Sequence, residues 1–191
     1  MHIIATVLCA WFCISQVSAG EVIYAYVDND DDHYYLHLDM RVNGDAENIY
    51  RILVDFDNMH AINETIVESK RLSSRDNDTV HEVEFISEGC VLFFCKRIRQ
   101  LVTVRELGQG FIVSSTDPAK SDLKHGRTLW EVIDEGEGTR LKYNADYVPD
   151  FWVPPVIGPA IFKNRMYEEG LKTVNGIEKL ANKNQNDSDL F

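Results

Sequence analysis

The chain has 191 residues, enough for one domain with a proper core. Hydrophobic content of 45% and charged content of 26% are ordinary globular values. The formal net charge is −12 and Lys and Arg form no long runs, so nucleic acid and a permanent dock on anionic lipid are both disfavoured by repulsion. A local basic patch leaves room only for transient membrane contact.

Residues 1–19 read as a signal peptide. Ile3 to Ile14 is almost wholly apolar, and Val17-Ser18-Ala19 is a small-residue cleavage pattern ahead of Gly20. The n-region carries no Lys or Arg, only His2, and an uncleaved N-terminal anchor is the alternative. Trp11-Phe12 ahead of Cys13 is too bulky for a lipobox. Export would place the mature chain in a periplasmic or secreted, oxidising compartment. Cys9 and Cys13 would leave with the leader, while Cys90 and Cys95 would stay. If Val91–Phe94 make a hairpin turn, these two sulfurs can meet. If the segment is one extended strand, the Cα atoms stand about 16 Å apart and no bond forms. No His or Asp adjoins either thiol in sequence, so a structural pair is favoured over a catalytic cysteine.

Glu21 to Val27 is a short β-type run, followed by a polar turn at Asp28–Asp32. That acid cluster lacks the Gly and Glu of a calcium loop, since His33 and Asp39 stand in their places, and no metal site is expected. Tyr34, Leu36, Leu38, Met40 and Val42 alternate with polar residues as a half-buried strand. Asp45 can N-cap a helix carrying Ile49, Ile52, Leu53 and Phe56, and Asp57–Ile66 reads as a second short helix or turn. Six further strands follow, roughly over 67–73, 79–87, 96–106, 110–116, 127–134 and 140–148. Gly108-Gln109-Gly110 and Glu135–Gly138 form tight turns.

Four of the five prolines (Pro149, Pro154, Pro155, Pro159) then lead stiffly into a long helix. Ala160, Tyr167, Leu171, Val174, Ile177 and Ala181 form its expected apolar stripe, with Arg165, Glu168, Glu169 and Lys172 on the solvated side. Gly170 and Gly176 each cost about 1 kcal/mol in a helix interior, and mark points of close approach, most simply to a sheet. Residues 183–191 read as a disordered tail.

An antiparallel sheet closed by one long helix is an α+β, helix-grip arrangement. Here the chain resembles the START-like (SRPBCC) superfamily, and within it the polyketide cyclase/coenzyme Q-binding START-domain group, in the form of its exported bacterial members. The resemblance is carried by residues 49–64 (Ile-Tyr-Arg-Ile-Leu-Val-Asp-Phe-Asp-Asn-Met-His-Ala-Ile-Asn-Glu), Ile66–Leu72, Gly89–Cys95, Ser121–Gly126 and Asp150–Gly158. It implies one START-like domain over 20–182, with a curved sheet of about seven strands, two short helices after the first strand, and the C-terminal helix across the concave face. It implies binding of a hydrophobic small molecule, a polyprenyl quinone or lipid, in a carrier or chaperone role. A polar contact from Asn63 at the cavity mouth is a further implication, against a plain turn role.

No catalytic constellation is evident. There is no phosphate loop, nucleophile elbow or His-x-x-x-His pair, and His60, His81 and His125 fall on different elements. No cofactor is expected, and an enzyme is the less favoured class. The cavity candidates are aromatic or apolar: Phe85, Phe111, Trp130, Tyr143, Phe151, Trp152, Ile157 and Phe162, placed on the inner sheet face or at the start of the helix. Tyr143, Tyr147, Gln100 and Arg127 are the few polar groups expected there. Trp152 is singled out as a gate. The expectation is a monomer that binds its ligand without chemistry. An aromatase/cyclase acting on a polyketide, or an interaction module with a filled core, are the alternatives.

Overall fold

A computed structural model describes residues 21–91, 94–153 and 158–188. The expected leader, Leu92-Phe93, Ile157 and residues 189–191 lie outside the described residues.

Eight strands form a single antiparallel sheet: β1 (Glu21–Asp30), β2 (His33–Val42), β3 (Ile66–Arg75), β4 (Val80–Val91), β5 (Phe94–Gly108), β6 (Phe111–Thr116), β7 (Leu123–Asp134) and β8 (Thr139–Pro149). Their order in the sheet is β1-β2-β8-β7-β6-β5-β4-β3. From β3 to β8 every strand pairs with the next in sequence. The exception is β2, which pairs with β8 at the far end of the chain. Between β2 and β3 the chain crosses the sheet through helix α1 (Ala46–Leu53) and a 3-10 turn at Met59–Ala61.

Local chemistry explains these elements. In β2, Tyr34, Leu36, Leu38, Met40 and Val42 are buried and the residues between them are not, the period-two signature of a sheet with one dry face. Asp45 caps α1 by accepting from the Asn48 amide at 2.8 Å, and Ile49, Ile52 and Leu53 bury its inner side. The β3–β4 turn holds Asp76, Asn77 and Asp78 at positive φ, where short polar side chains are tolerated better than most. Gly110 has φ +83°, and a Cβ there would collide with the Val132 carbonyl.

The long helix α2 (Gly158–Ser188) closes the concave face. It continues through most of the stretch that composition marks as a fraying tail. Its buried line is also shifted from the expected stripe. Ala160 and Tyr167 are exposed, while Gly170, Val174, Ile177 and Ala181 are buried. The first half of α2 instead turns Met166, Glu169 and Thr173 inward, over a cavity. A Cβ on Gly170 would meet Leu38 Cδ1 at 2.8 Å and Leu36 Cδ2 at 3.1 Å, which is the expected approach to the sheet. Gly176 approaches something else, the backbone carbonyl of Ile62 after the 3-10 turn. The core gathers Leu36, Leu38 and Met40 of β2, Val83, Val102 and Val104 of β4 and β5, Ile49 and Leu53 of α1, and Val174 and Ile177 of α2.

Candidate functional site

Between the sheet and the first half of α2 lies a cavity of about 290 Å³. Its floor follows from strand alternation. Phe85 and Ser87 of β4, Gln100, Val102 and Val104 of β5, Ile112, Ser114 and Thr116 of β6, Thr128 and Trp130 of β7, and Tyr143 and Tyr147 of β8 all point into it. Leu53, Phe56, Met59 and Ile62 form the wall from α1 and the turn, and Met166, Glu169, Gly170 and Thr173 form the roof.

Of the eight expected cavity residues, this brings together Phe85, Trp130 and Tyr143. The Trp130 and Tyr143 rings stack with centroids 4.2 Å apart. Phe162, near the start of α2, makes edge contacts with Tyr34 at 4.4 Å and with Phe151, just after β8, at 6.3 Å, but neither phenylalanine lines the cavity. Phe151 also carries Lys96 Nζ 5.5 Å from its ring centroid. Phe111 is on the outer face. A register shift between Glu106 and Gly108 sets the phase of β6 so that Ile112, Ser114 and Thr116 take the inner face. Trp152 is 77% exposed and does not line the cavity. Arg127 likewise points outward, one residue out of phase with Thr128. Ile157 lies outside the described residues.

The floor is more polar than periodicity alone suggests. Ser114 Oγ and Thr128 Oγ1 are 2.7 Å apart across β6–β7, and the Tyr143 and Tyr147 hydroxyls are 3.0 Å apart. Burial raises both phenols above the ordinary tyrosine value, Tyr143 strongly, so they stay protonated donors at any physiological pH. The Gln100 side-chain amide has no hydrogen-bond partner among the described residues. The inward Ser114 and Thr128 are flanked by the outward Val113, Ser115, Arg127 and Leu129, a face of mixed polarity, so hydropathy periodicity does not reveal them.

The rim between the 3-10 turn and α2 is closed by Asn63. Its amide donates to Thr173 Oγ1 at 3.0 Å, Glu169 Oε2 at 3.2 Å and the Glu169 carbonyl at 3.3 Å. Its oxygen accepts from the Thr65 amide and hydroxyl at 3.0 and 2.8 Å. Burial alone would raise the Glu169 pKa. Hydrogen bonds from Lys172, Asn63 and Thr65 outweigh it, and the carboxyl ends below its ordinary value.

Behind Phe56 is a second polar cluster. His81 is buried, with Nδ1 2.9 Å from Ser74 Oγ and Nε2 2.9 Å from Glu106 Oε1. Tyr50 donates to the other Glu106 oxygen at 2.6 Å. The arrangement pins α1 to β4 and β5 and does not reach the cavity space. His125 is on the outer face beside Asp146, and His60 is on the 3-10 turn. Among the described residues no group of three or more His, Cys, Asp and Glu is arranged to hold a metal.

At the tip of the β4–β5 hairpin, Cys90 and Cys95 face each other in the ladder. Cys95 is disulfide-bonded. The ladder continues to Val91 and Phe94, two of the four residues expected to form the turn.

No protein-family model matches this sequence, and no curated protein matches it. Solved structures do. A STAR-related lipid transfer protein fragment from Xanthomonas axonopodis superposes with a TM-score of 0.64 at 13% identity, covering 85% of this chain and 98% of that one. A START superfamily protein from Mycobacterium smegmatis gives 0.62 at 16% identity, covering 76% and 98%. The Zhui aromatase/cyclase from Streptomyces sp. R1128 gives 0.57 at 10% identity, covering 78% and 91%. Identities this low carry architecture and leave chemistry to the site itself. The chain has the helix-grip fold of the START-like superfamily.

Proposed function

We propose that this protein is an exported carrier that binds one compact, oxygen-bearing hydrophobic molecule between its sheet and α2, with a quinone head group as the favoured ligand. The observation that carries the reading is the cavity floor. A stacked Trp130–Tyr143 pair offers a flat apolar surface, while the Tyr143–Tyr147 hydroxyls and the unpartnered Gln100 amide offer donors beside it. The two phenols satisfy one donor between themselves, so a hydrocarbon would leave the remaining phenol donor and the Gln100 amide dry and unpaired, at a cost of about 1–3 kcal/mol each. Carbonyl oxygens on a ring would satisfy them. About 290 Å³ is at the lower end of ligand pockets. A ring system fits, and a long isoprenoid or acyl tail would have to continue past the rim. That one structural neighbour is named a STAR-related lipid transfer protein agrees with a carrier role.

Export rests on the Val17-Ser18-Ala19 pattern and is supported by the disulfide at Cys95, for which Cys90 is the partner we assign. The exposed Trp152 is suited to brief contact with a bilayer surface, where aromatic side chains partition well. The rival reading is a polyketide aromatase/cyclase, favoured by the same protonated phenols, which could donate to an enolising carbonyl. Native mass spectrometry of the protein from its host, followed by titration with a short-chain quinone, tests the proposal. A co-purified oxygenated ligand and 1:1 saturation are expected. An empty protein with no saturable response to quinone overturns it, and turnover of a poly-β-keto thioester would move the assignment to the cyclase.

A further inference from the structure

On the opposite face of the sheet lies a second depression, an open groove of about 450 Å³ crossing β2, β8, β7, β6 and β5. Strand register places Arg127 in one ladder row, between Ser115 on one side and Asp146 on the other, with Thr103 beyond Ser115. Arg105 lies two residues along β5 from Thr103, in the next row, which also holds Asn144 and His37. All of these residues line the groove.

Opposite charges facing across a ladder ordinarily pair. Arg127 and Asp146 do not. Asp146 turns its carboxylate to two histidines instead, with Oδ1 2.8 Å from His33 Nδ1 and Oδ2 3.2 Å from His125 Nε2. The neighbours of Arg105 across both flanking strands are valines, Val80 and Val113. Among the described residues, neither guanidinium has a carboxylate in ion-pair range. Partners are plentiful in a chain with 31 acidic and 19 basic residues. Arg41, Arg97, Arg99 and Arg140 on the same sheet all have one. Two arginines without a partner thus face one groove in an otherwise acidic protein.

We propose that this groove is an anion site for a small soluble phosphate dianion, inorganic phosphate or a phosphomonoester, held between Arg105 and Arg127. Their Cα atoms stand about 12 Å apart on ladder geometry, a span that two extended guanidinium side chains close between them. A carboxylate fills one guanidinium fork. A phosphate has enough oxygens for two forks and for hydroxyl donors as well, and Ser115 and Thr103 lie between the two arginines. Asn144 adds a donor, since its oxygen is engaged by His37 Nδ1 at 2.6 Å and its amide nitrogen is left over. Asp146 is the one carboxylate in the groove, and its hydrogen bond to His33 raises the imidazole pKa and so offsets the negative charge there. The soluble source is preferred to a lipid headgroup because a net charge of −12 repels an anionic bilayer as a whole.

The test is a titration of the purified protein with inorganic phosphate and with glycerol 3-phosphate at low ionic strength, read by phosphorus NMR line width. Vesicles of phosphatidylcholine with and without phosphatidic acid form a second arm. Arg105→Gln and Arg127→Gln are each expected to weaken soluble phosphate at least tenfold. Arg51→Gln, on the exposed side of α1, is expected to change nothing. The proposal fails if no saturable broadening appears, or if Arg51→Gln weakens binding as much as the groove variants. It also fails if only phosphatidic acid vesicles bind. Quinone binding in all three variants should match wild type, so this site and the cavity stand or fall separately.

Discussion

The Asn63 amide lies 3.2 Å from the Glu169 carboxylate, and this contact ties the loop after the 3-10 turn to the roof of the cavity. Removing it by Asn63→Ala takes one donor from Thr173 Oγ1 and one from Glu169, which keeps Lys172, and a loss of about 1–3 kcal/mol is expected in urea unfolding. The pH dependence follows from the carboxyl. Its folded pKa lies below the ordinary glutamate value, so its contribution is complete above about pH 4.3 and fades as pH falls through the folded value. Asp39, held down mainly by its hydrogen bond to Arg140, adds to the same acid-side loss. Glu169→Gln should flatten the acid-side slope of the urea midpoint. An unchanged slope would remove Glu169 from the account.

The two helix glycines separate under the same substitution. Gly176→Ala drives a methyl into the Ile62 carbonyl, which is backbone and cannot swing away. A net loss of about 1–3 kcal/mol is expected even after the gain of about 1 kcal/mol in helix propensity. Gly170→Ala meets only the ends of Leu36 and Leu38, so its thermal midpoint should stay near wild type. Equal losses would mean that the two contacts are equally rigid.

Trp130 and Trp152 sit in contrasting places, and ligand-induced fluorescence distinguishes them. In a Trp11→Phe background, Trp130→Phe should abolish the change on quinone addition, because Trp130 floors the cavity. Trp152→Phe should preserve it, since Trp152 is 77% exposed. The opposite pattern would restore Trp152 as the gate.

Reduction of the disulfide at Cys95 should lower stability by about 2 kcal/mol if the bond closes only the short β4–β5 loop to Cys90. The effect should be read against Cys90→Ser, which is expected to match the reduced protein. A Cys90→Ser variant in which Cys95 still fails to titrate as a free thiol would give the bond a different partner.

The fold is legible in the sequence wherever one face of an element is dry. β2 and β8 show clean alternation, Asp45 announces α1, and the prolines announce the start of α2. Outer and inner faces are harder to separate where both are mixed, and this is why Phe111 is read inward although the shift at Glu106–Gly108 reverses it. Glu169 reads as solvated because charge dominates the pattern, yet it is drawn over the cavity by Asn63 and Lys172. The site hydroxyls of Ser114 and Thr128 carry too little hydropathy to register at all.

The pairing of β2 with β8 has a bearing on when the protein can fold. His33 and Asp146, which meet across those strands, are 113 positions apart. A chain emerging from its N-terminus can close the β1–β2 hairpin early, but the other side of β2 stays unpaired until β8 has been made. Its dry face waits longer still, for α2. Closing so long a loop is slow and yields its contacts only at the end, so nearly the whole polypeptide must be synthesised before the native state is reachable. During that interval β2 is an open strand edge, available to a chaperone.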